Sequence, residues 1–267
     1  MTTALQDNST AAPSPAKLLD DGKYAFFFDV DGTLAEIQPE PDAVTIPSQV
    51  RDNLRILAEY CDGALALVSG RPISQLDKLA APLVLPAAGV HGAELRDAAG
   101  NLHRVQLSEG VADALREKLE TAMNEMPGTL LETKGMAFAL HYRQALQFEK
   151  QVLALAESAV AEFPELALQP GKCVVEIKPH GIDKGAAITT FMQHAPFYGR
   201  IPVFVGDDLT DEKGFHAVNG LQGVSVKVGE GSSAAHYHLD QVTDVHGWIA
   251  QITSQLQQDK TGKEFTL

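Results

Sequence analysis

FFFDVDGTLAEI (26–37) decides the fold. With Tyr24 and Ala25 in front, it is an unbroken apolar run that stops abruptly at a carboxylate. A half-exposed strand would alternate, whereas a run apolar on both faces suits a parallel strand buried inside a sheet. Asp29 and Asp31 fall just past its end, and Gly32-Thr33 follow as turn chemistry.

The pattern repeats outward from this strand. SQVRDNLRILAEY (48–60) sets Val50, Leu54 and Leu57 at helical spacing, with Ser48 as the expected cap. GALALVSG (63–70) is a second buried strand ending in Ser-Gly, PISQLDKLA (72–80) a helix with Pro72 in its first turn, and PLVLPAAGVHG (82–92) strand-like again. Strand, helix, strand, helix, strand predicts an α/β fold around a parallel sheet. After residue 180 it resumes: DKGAAITTFMQHA (183–195) is helical, and IPVFVGDD (201–208) and GVSVKVG (223–229) are buried strands.

The stretch between differs. SEGVADALREKLETAMNEM (108–126) is a long amphipathic helix with Val111, Leu115, Leu119 and Met123 on one face. TLLETKGMAFALHYRQ (129–144) alternates as an antiparallel pair around Lys134-Gly135. QFEKQVLALAESAVAEF (147–163) is a second amphipathic helix, and LALQPGKCVVEIKP (166–179) a second pair turning at Pro170-Gly171. Helix, hairpin, helix, hairpin predicts an inserted α+β domain over 105–180, within a core of 21–104 and 181–267. Residues 1–20, rich in Thr, Ser, Ala and Pro, are expected to be a frayed tail.

Composition removes other classes. The 267 residues are 45% hydrophobic and 21% charged, which is globular and neither disordered nor repetitive. Lys+Arg 21 against Asp+Glu 35 gives −14, a field that repels a phosphate backbone, so nucleic acid is not an expected partner. The N-terminus has no basic start and no apolar h-region, and no apolar run approaches the roughly 20 residues of a membrane helix. A soluble, cytoplasmic monomer without membrane partners is expected. Cys61 and Cys173 are read as buried free thiols.

Two strand ends carry acids. Asp29 and Asp31 end the first, and VGDDLTDE (205–212) places Asp207, Asp208 and Asp211 at the second. Ligands bind outside the carboxyl ends of strands in open α/β sheets. Two carboxylates two residues apart can divide labour there: one attacks or holds a metal, the other moves a proton. Oxygen ligands at this density are what Mg²⁺ requires. Either motif alone could be a solvated turn; the two together, with LVSGR (67–71) and DKG (183–185) between, make that alternative poor.

The order D-x-D-G-T-L, LVSGR, Lys184 and VGDDLTDE resembles the four motifs of haloacid dehalogenase superfamily phosphatases. The resemblance implies a Rossmann-like parallel-sheet core with an inserted α+β cap domain. It also implies Asp29 as the nucleophile forming an aspartyl-phosphate, Asp31 as general acid/base, Ser69 on the phosphoryl oxygens and Lys184 as the neutralising cation. Mg²⁺ then falls to Asp29, the carbonyl of Asp31, Asp207, and Asp208 or Asp211. LETKGMAFALHYR (131–143), VVEIKPHGIDKG (174–185) and AGVHGAELR (88–96) further resemble the bacterial trehalose-6-phosphate phosphatase family. That implies sugar binding by Glu132, Lys134 and Glu176, with Arg71, His91, Glu94 and Arg143 as weaker carry-overs. A phosphorylated disaccharide is the implied substrate. The alternatives are another sugar-phosphate phosphatase, a phosphomannomutase-like enzyme, or a non-catalytic sugar-phosphate-binding regulator. Taken alone, Glu132 and Lys134 could be an exposed surface pair, Glu176 an outward strand residue and His91 a turn histidine.

Overall fold

The computed structural model describes residues 10–12, 23–40, 43–105, 107, 109–134 and 136–264. In chain order the elements are β1 (Thr10–Ala11), β2 (Tyr24–Phe28), α1 (Ser48–Tyr60), β3 (Leu65–Val68), α2 (Ile73–Ala80), β4 (Ala87–Gly89), β5 (Glu94–Arg96) and β6 (Leu102–Arg104). Then come α3 (Glu109–Asn124), β7 (Leu130–Lys134), β8 (Ala137–His141), α4 (Glu149–Glu162), β9 (Leu166–Gly171) and β10 (Val174–Pro179). α5 (Lys184–Met192), β11 (Ile201–Gly206), α6 (Asp211–Gly220), β12 (Val224–Val228), β13 (Tyr237–Leu239) and α7 (Val242–Glu264) complete the chain. Two compact units result: Met1–His103 with Asp183–Leu267, and Arg104–Ile182.

The first unit is organised by one sheet in the order β1-β13-β12-β11-β2-β3-β4-β5-β6. The pairings of β2 with β11 and β3, of β12 with β11 and β13, and of β3 with β4 are parallel; β4 with β5 is antiparallel. β2 therefore lies where the chain winds one way to β3 and the other way to β11, the switch point at which such sheets open a crevice. All five residues of β2 are buried. Alternation along it sorts the aromatics: Phe26 and Phe28 stack 6.3 Å apart, while Phe27 meets Phe197 at 5.4 Å and Phe191 of α5 at 5.9 Å. Each such side chain contributes about 1.5–3 kcal/mol by leaving water. The cluster also fixes α5, whose first residue is Lys184, against β2.

The second unit is an antiparallel sheet in the order β7-β8-β10-β9. Its core joins Leu115, Leu119 and Met123 of α3 and Val152, Ala156 and Ala159 of α4 to Phe138, Leu140, Val175, Ile177 and Leu166 of the strands. Val111, expected on the buried stripe of α3, is only partly buried.

Several local expectations change. Ser48 is the first helical residue rather than the cap; Pro47 holds the cap position and Pro72 holds that of α2, and neither has a side chain to offer the free N–H groups. The second hairpin turns at Lys172-Cys173, since Gly171 pairs with Val174. Cys173 takes the left-handed conformation there, φ 61°, and is half-buried rather than buried. Thr10–Ala11 pairs in parallel with Tyr237–His238, so this part of the expected tail is a strand, while 1–9 and 13–20 lie outside the described residues. The antiparallel β5–β6 extension and β13 were not foreseen; each is only three residues long, too short to show periodicity.

Candidate active site

The sheet register aligns the acids. Phe28 pairs with Val205 on one side and Leu67 on the other, so the next residues of all three strands emerge at one end. Asp29 donates its N–H to the Val205 carbonyl at 3.0 Å and is 4% exposed. Its Oδ1 lies 3.0 Å from Lys184 Nζ, and the same ammonium lies 2.7 Å from Asp211 Oδ1. Lys184 and Asp211 are almost wholly buried.

Carboxylate oxygens of Asp29, Asp207 and Asp211 all lie within 4.8 Å of one another. Burial, together with the charges of their neighbours, pushes all three carboxyls above the ordinary aspartate range. Asp207 reaches about 7, through burial and then the charges of Asp211 and Asp208. Asp29 and Asp211 rise for the same reason despite the pull of Lys184. Lys184 is raised as well, with the opposite consequence: burial disfavours its charge, but Asp211 and Asp29 outweigh burial, so it stays cationic. The group carries more negative charge than one lysine balances.

Asp208 has another task. Its Oδ1 accepts from Thr210 N–H at 2.8 Å, Thr210 Oγ1 at 2.6 Å and Asp211 N–H at 3.2 Å, so it caps the entrance to α6. Although burial would raise it, the Lys184 charge and these bonds hold it below the ordinary value. The member of the acidic cluster is thus Asp211, not Asp208. Asp211 Oδ2 in turn accepts from the N–H groups of Asp207 and Asp208 at 2.9 and 3.0 Å.

Two glycines permit this packing. A Cβ on Gly32, whose φ is +77°, would collide with the Asp207 carboxylate, and one on Gly206 would strike that of Asp211. Asp207 Oδ1 is buried without a hydrogen-bond partner among the described residues. Clustered oxygen donors, unbalanced charge and an unsatisfied carboxylate oxygen fit a hard divalent cation. Asp29 and Asp207 offer the oxygens for it, whereas both oxygens of Asp211 are already engaged.

The remaining residues fall into place around β3 and β4. Ser69 is buried directly after β3, with its N–H on the Ala88 carbonyl at 2.9 Å and its hydroxyl accepting from Arg71 N–H at 3.3 Å. Arg71 makes a two-point ion pair with Asp31. Glu94 accepts from Ile73 N–H at 2.8 Å, capping the α2 N-terminus that Pro72 leaves open. His91 is 9% exposed, and its ring lies 2.8 Å from where a Gly70 Cβ would stand. Val90 and His91 both have positive φ, 50° and 57°. For a β-branched residue that is strained, and such strain tends to be kept at functional sites. It is held by Val90 N–H on the Arg71 carbonyl and His91 N–H on that of Ser69.

Within the second unit, Glu132, Ala139, Glu176 and Gln169 form one register row across four strands, and residues opposite in antiparallel strands share a face. Lys134 and Ala137 pair two rows along; the Lys134 side chain lies outside the described residues. The opposite face is the apolar core, so this one is polar over a floor of alanines. Glu132 binds His141 at 2.9 Å and is exposed, whereas Glu176 is 8% exposed. Sequence reasoning missed Lys178, buried two residues beyond Glu176 on the same face and bonded to Gln169, although the alternation of VVEIKP carried that signal. Arg143 is exposed and donates to the Lys172 carbonyl at 3.2 Å. Lys227, a cation inside the apolar strand VSVKV, was also missed.

The sheet order, the acidic strand ends at its switch point and the α+β unit inserted between them define a haloacid dehalogenase-like fold. The chain belongs to the trehalose-phosphatase family, whose profile matches residues 27–243. It is 55% identical to the trehalose-6-phosphate phosphatase of Escherichia coli K12 over 238 residues, 89% of this chain and 90% of that protein. It is 40% identical to a probable trehalose-phosphate phosphatase of Sinorhizobium fredii over 211 residues, 79% of each. Among solved structures, the C-terminal domain of the Candida albicans trehalose-6-phosphate phosphatase superposes with a TM-score of 0.75 at 20% identity, covering 93% of this chain and 99% of that one. The Aspergillus fumigatus trehalose-6-phosphate phosphatase gives 0.69 at 26% identity, covering 92% and 100%. Among the described residues no helix is long and apolar enough to cross a membrane.

Proposed function

We propose that this chain is a Mg²⁺-dependent phosphatase that hydrolyses trehalose 6-phosphate to trehalose and phosphate through an aspartyl-phosphate on Asp29. The observation that carries the chemistry is the buried Asp29 carboxylate with Lys184 at 3.0 Å, at the end of the switch-point strand. The identity to the E. coli enzyme carries the substrate. The second unit, Arg104–Ile182, acts as the cap that reads the sugar.

A carboxylate and a phosphate dianion repel, so the site must cancel charge before they meet. Lys184 supplies one permanent cation there. Asp29, Asp207 and the Asp31 carbonyl would hold Mg²⁺, which would supply the rest of the electrostatic stabilisation. An Asp29 oxygen then attacks phosphorus as the bond from phosphorus to the sugar oxygen breaks, and protonated Asp31 gives its proton to that oxygen. In the second half, Asp31 takes a proton from water as the water oxygen attacks phosphorus, and Asp29 is released as carboxylate. Ser69 Oγ, at the end of the neighbouring strand, hydrogen-bonds the phosphoryl oxygens.

The test is phosphate release from a panel of phosphosugars, with Mg²⁺ and with EDTA, on native protein and on Asp29→Asn. Release confined to trehalose 6-phosphate, dependent on Mg²⁺ and absent in the variant is the expected result. Multiple turnover by Asp29→Asn free of deamidated enzyme removes Asp29 as nucleophile, and equal rates on all phosphosugars remove the trehalose assignment.

A further inference from the structure

Lys227 is a charged residue where the fold has no ordinary use for one. It lies in β12, between Val226 and Val228, and is 9% exposed. Burying an ammonium is costly unless its donors are satisfied. Yet among the described residues it makes no ion pair: its Nζ donates to two backbone carbonyls, those of Asp207 and of Val228, the latter at 2.6 Å. A positive charge is thus kept beside an acidic cluster, where it also acts at a distance on the Asp207 carboxylate, while its hydrogen bonds go to peptide oxygens.

That oxygen belongs to the acid with the unsatisfied Oδ1. The peptides flanking Asp207 are held from both sides: the N–H groups of Asp207 and Asp208 go to Asp211 Oδ2, and the Asp207 carbonyl goes to Lys227. Gly206 pairs with Lys227 in the parallel β11–β12 ladder, so the clamp closes at the last rung before the acidic turn. The Asp207 carboxylate lies against the bare Cα of Gly32, in space that a Cβ there would take. A carboxylate held this way is arranged for a cation before the cation arrives.

We infer that Lys227 is a positioning residue for cation binding: by clamping the Asp207 carbonyl it presets the Asp207 carboxylate and leaves both its oxygens available. This rests on the reading of Asp29 and Asp207 as the Mg²⁺ ligands. Residues that orient metal ligands typically contribute about 10–100-fold to metal affinity, which sets the expected size.

The experiment is calorimetric titration of the full chain with Mg²⁺ alone, beside melting curves in EDTA and in saturating Mg²⁺. Lys227→Met keeps the apolar stem and deletes the donor; it is expected to weaken Mg²⁺ binding at least about 10-fold. Lys227→Gln retains one donor, is gentler on folding, and is expected to fall between Met and native. Ser225→Ala is the control. Ser225 lies on the same strand and binds Asn219 and the His236 N–H, so its loss is expected to lower Tm without changing Mg²⁺ affinity. Native-like Mg²⁺ affinity in the Met or Gln variant overturns the inference, as does an equal loss of affinity in Ser225→Ala. Because no turnover is measured, a wrong substrate leaves the result untouched, and absence of Mg²⁺ binding by native protein overturns the metal reading and this role with it.

Discussion

Arg71 holds both oxygens of the Asp31 carboxylate, Nε to Oδ2 at 2.6 Å and Nη2 to Oδ1 at 2.7 Å. Asp31 is the proposed proton donor; the two-point pair takes one lone pair on each of its oxygens and fixes the plane of the carboxyl, leaving the other lone-pair sites to meet the sugar oxygen. Arg71 thereby orients the proposed proton donor at the mouth of the acidic strand ends.

This gives the first prediction. Arg71→Ala is expected to lower kcat on the order of 10²-fold, because Asp31 loses its orienting partner. Arg71→Lys is expected to recover little, since an ammonium cannot grip a carboxylate at two points. Stability is expected to fall by on the order of 1 kcal/mol or less, with a correspondingly small change in Tm, because Asp31 is partly exposed and such pairs contribute little. Steady-state kinetics and melting curves on both variants decide it; a large fall in Tm with kcat intact would make the pair a structural brace.

The second prediction concerns pH. Asp29, Asp207 and Asp211 all have folded-state values above the ordinary aspartate value, so the folded state holds their protons more tightly than the unfolded chain. Their contribution to stability is complete below about pH 4 and is lost as pH rises through about 7, where Asp207 titrates. Without Mg²⁺, this part of the protein's stability is expected to decline over that window. A cation competes with those protons, so the gain in Tm on adding Mg²⁺ is expected to be small at pH 5 and larger at pH 8. A gain independent of pH would separate the metal from these carboxylates.

The third prediction ties packing to chemistry. Phe191 sits 5.0 Å from Phe197 and 5.9 Å from Phe27, and it lies on the helix that begins with Lys184. Phe191→Ala is expected to cost about 3–5 kcal/mol, as large-to-small changes in a close-packed core do. With the helix loosened against β2, Lys184 drifts from Asp29, so kcat is expected to fall even below the melting transition. Phe191→Leu, which refills most of the space, is expected to restore kcat before it restores all the stability.

How far the sequence disclosed this arrangement depended on the length of each signal. The five-residue apolar run of β2 and the acids after it are legible because burial on both faces leaves a continuous pattern. Three-residue strands such as β5 and β13 leave none. The motifs located the acids but not their division of labour. Asp207, Asp208 and Asp211 look alike in the string, and only the α6 turn reveals that Asp208 caps it while Asp211 lies under Lys184. The motifs that point to Glu94 and Arg71 as substrate-binding residues carry no sign of their partners within the fold: Glu94 caps α2 and Arg71 grips Asp31, contacts between residues far apart in the chain. Lys227 and Lys178 were visible as charges inside strands, a pattern that costs too much to be accidental.

The last prediction separates the two units. The core reads phosphate, which every sugar phosphate offers, so discrimination must come from hydroxyls recognised elsewhere. Glu132 and Glu176 lie in one row of the second unit's sheet, two strands apart with only the methyl of Ala139 between them. Two carboxylates standing over alanines form an acceptor surface suited to a hydroxyl-rich, uncharged ring, and the buried Lys178 and Gln169 on the same face bring donors. Polar groups matched to hydroxyls lose their partners when the hydroxyls are missing, which is why such sites discriminate strongly. Glu132→Ala and Glu176→Gln are therefore each expected to lower kcat/KM on trehalose 6-phosphate by on the order of 10²-fold, roughly 2.7 kcal/mol of transition-state binding. Both are expected to hydrolyse a small aryl phosphate within about twofold of native, since that substrate has no second sugar to be read; the margin is that of a uniform-binding control. Equal losses on both substrates would move these residues into the catalytic machinery or the fold. No loss on either would leave Glu132 with its simpler role as the partner of His141.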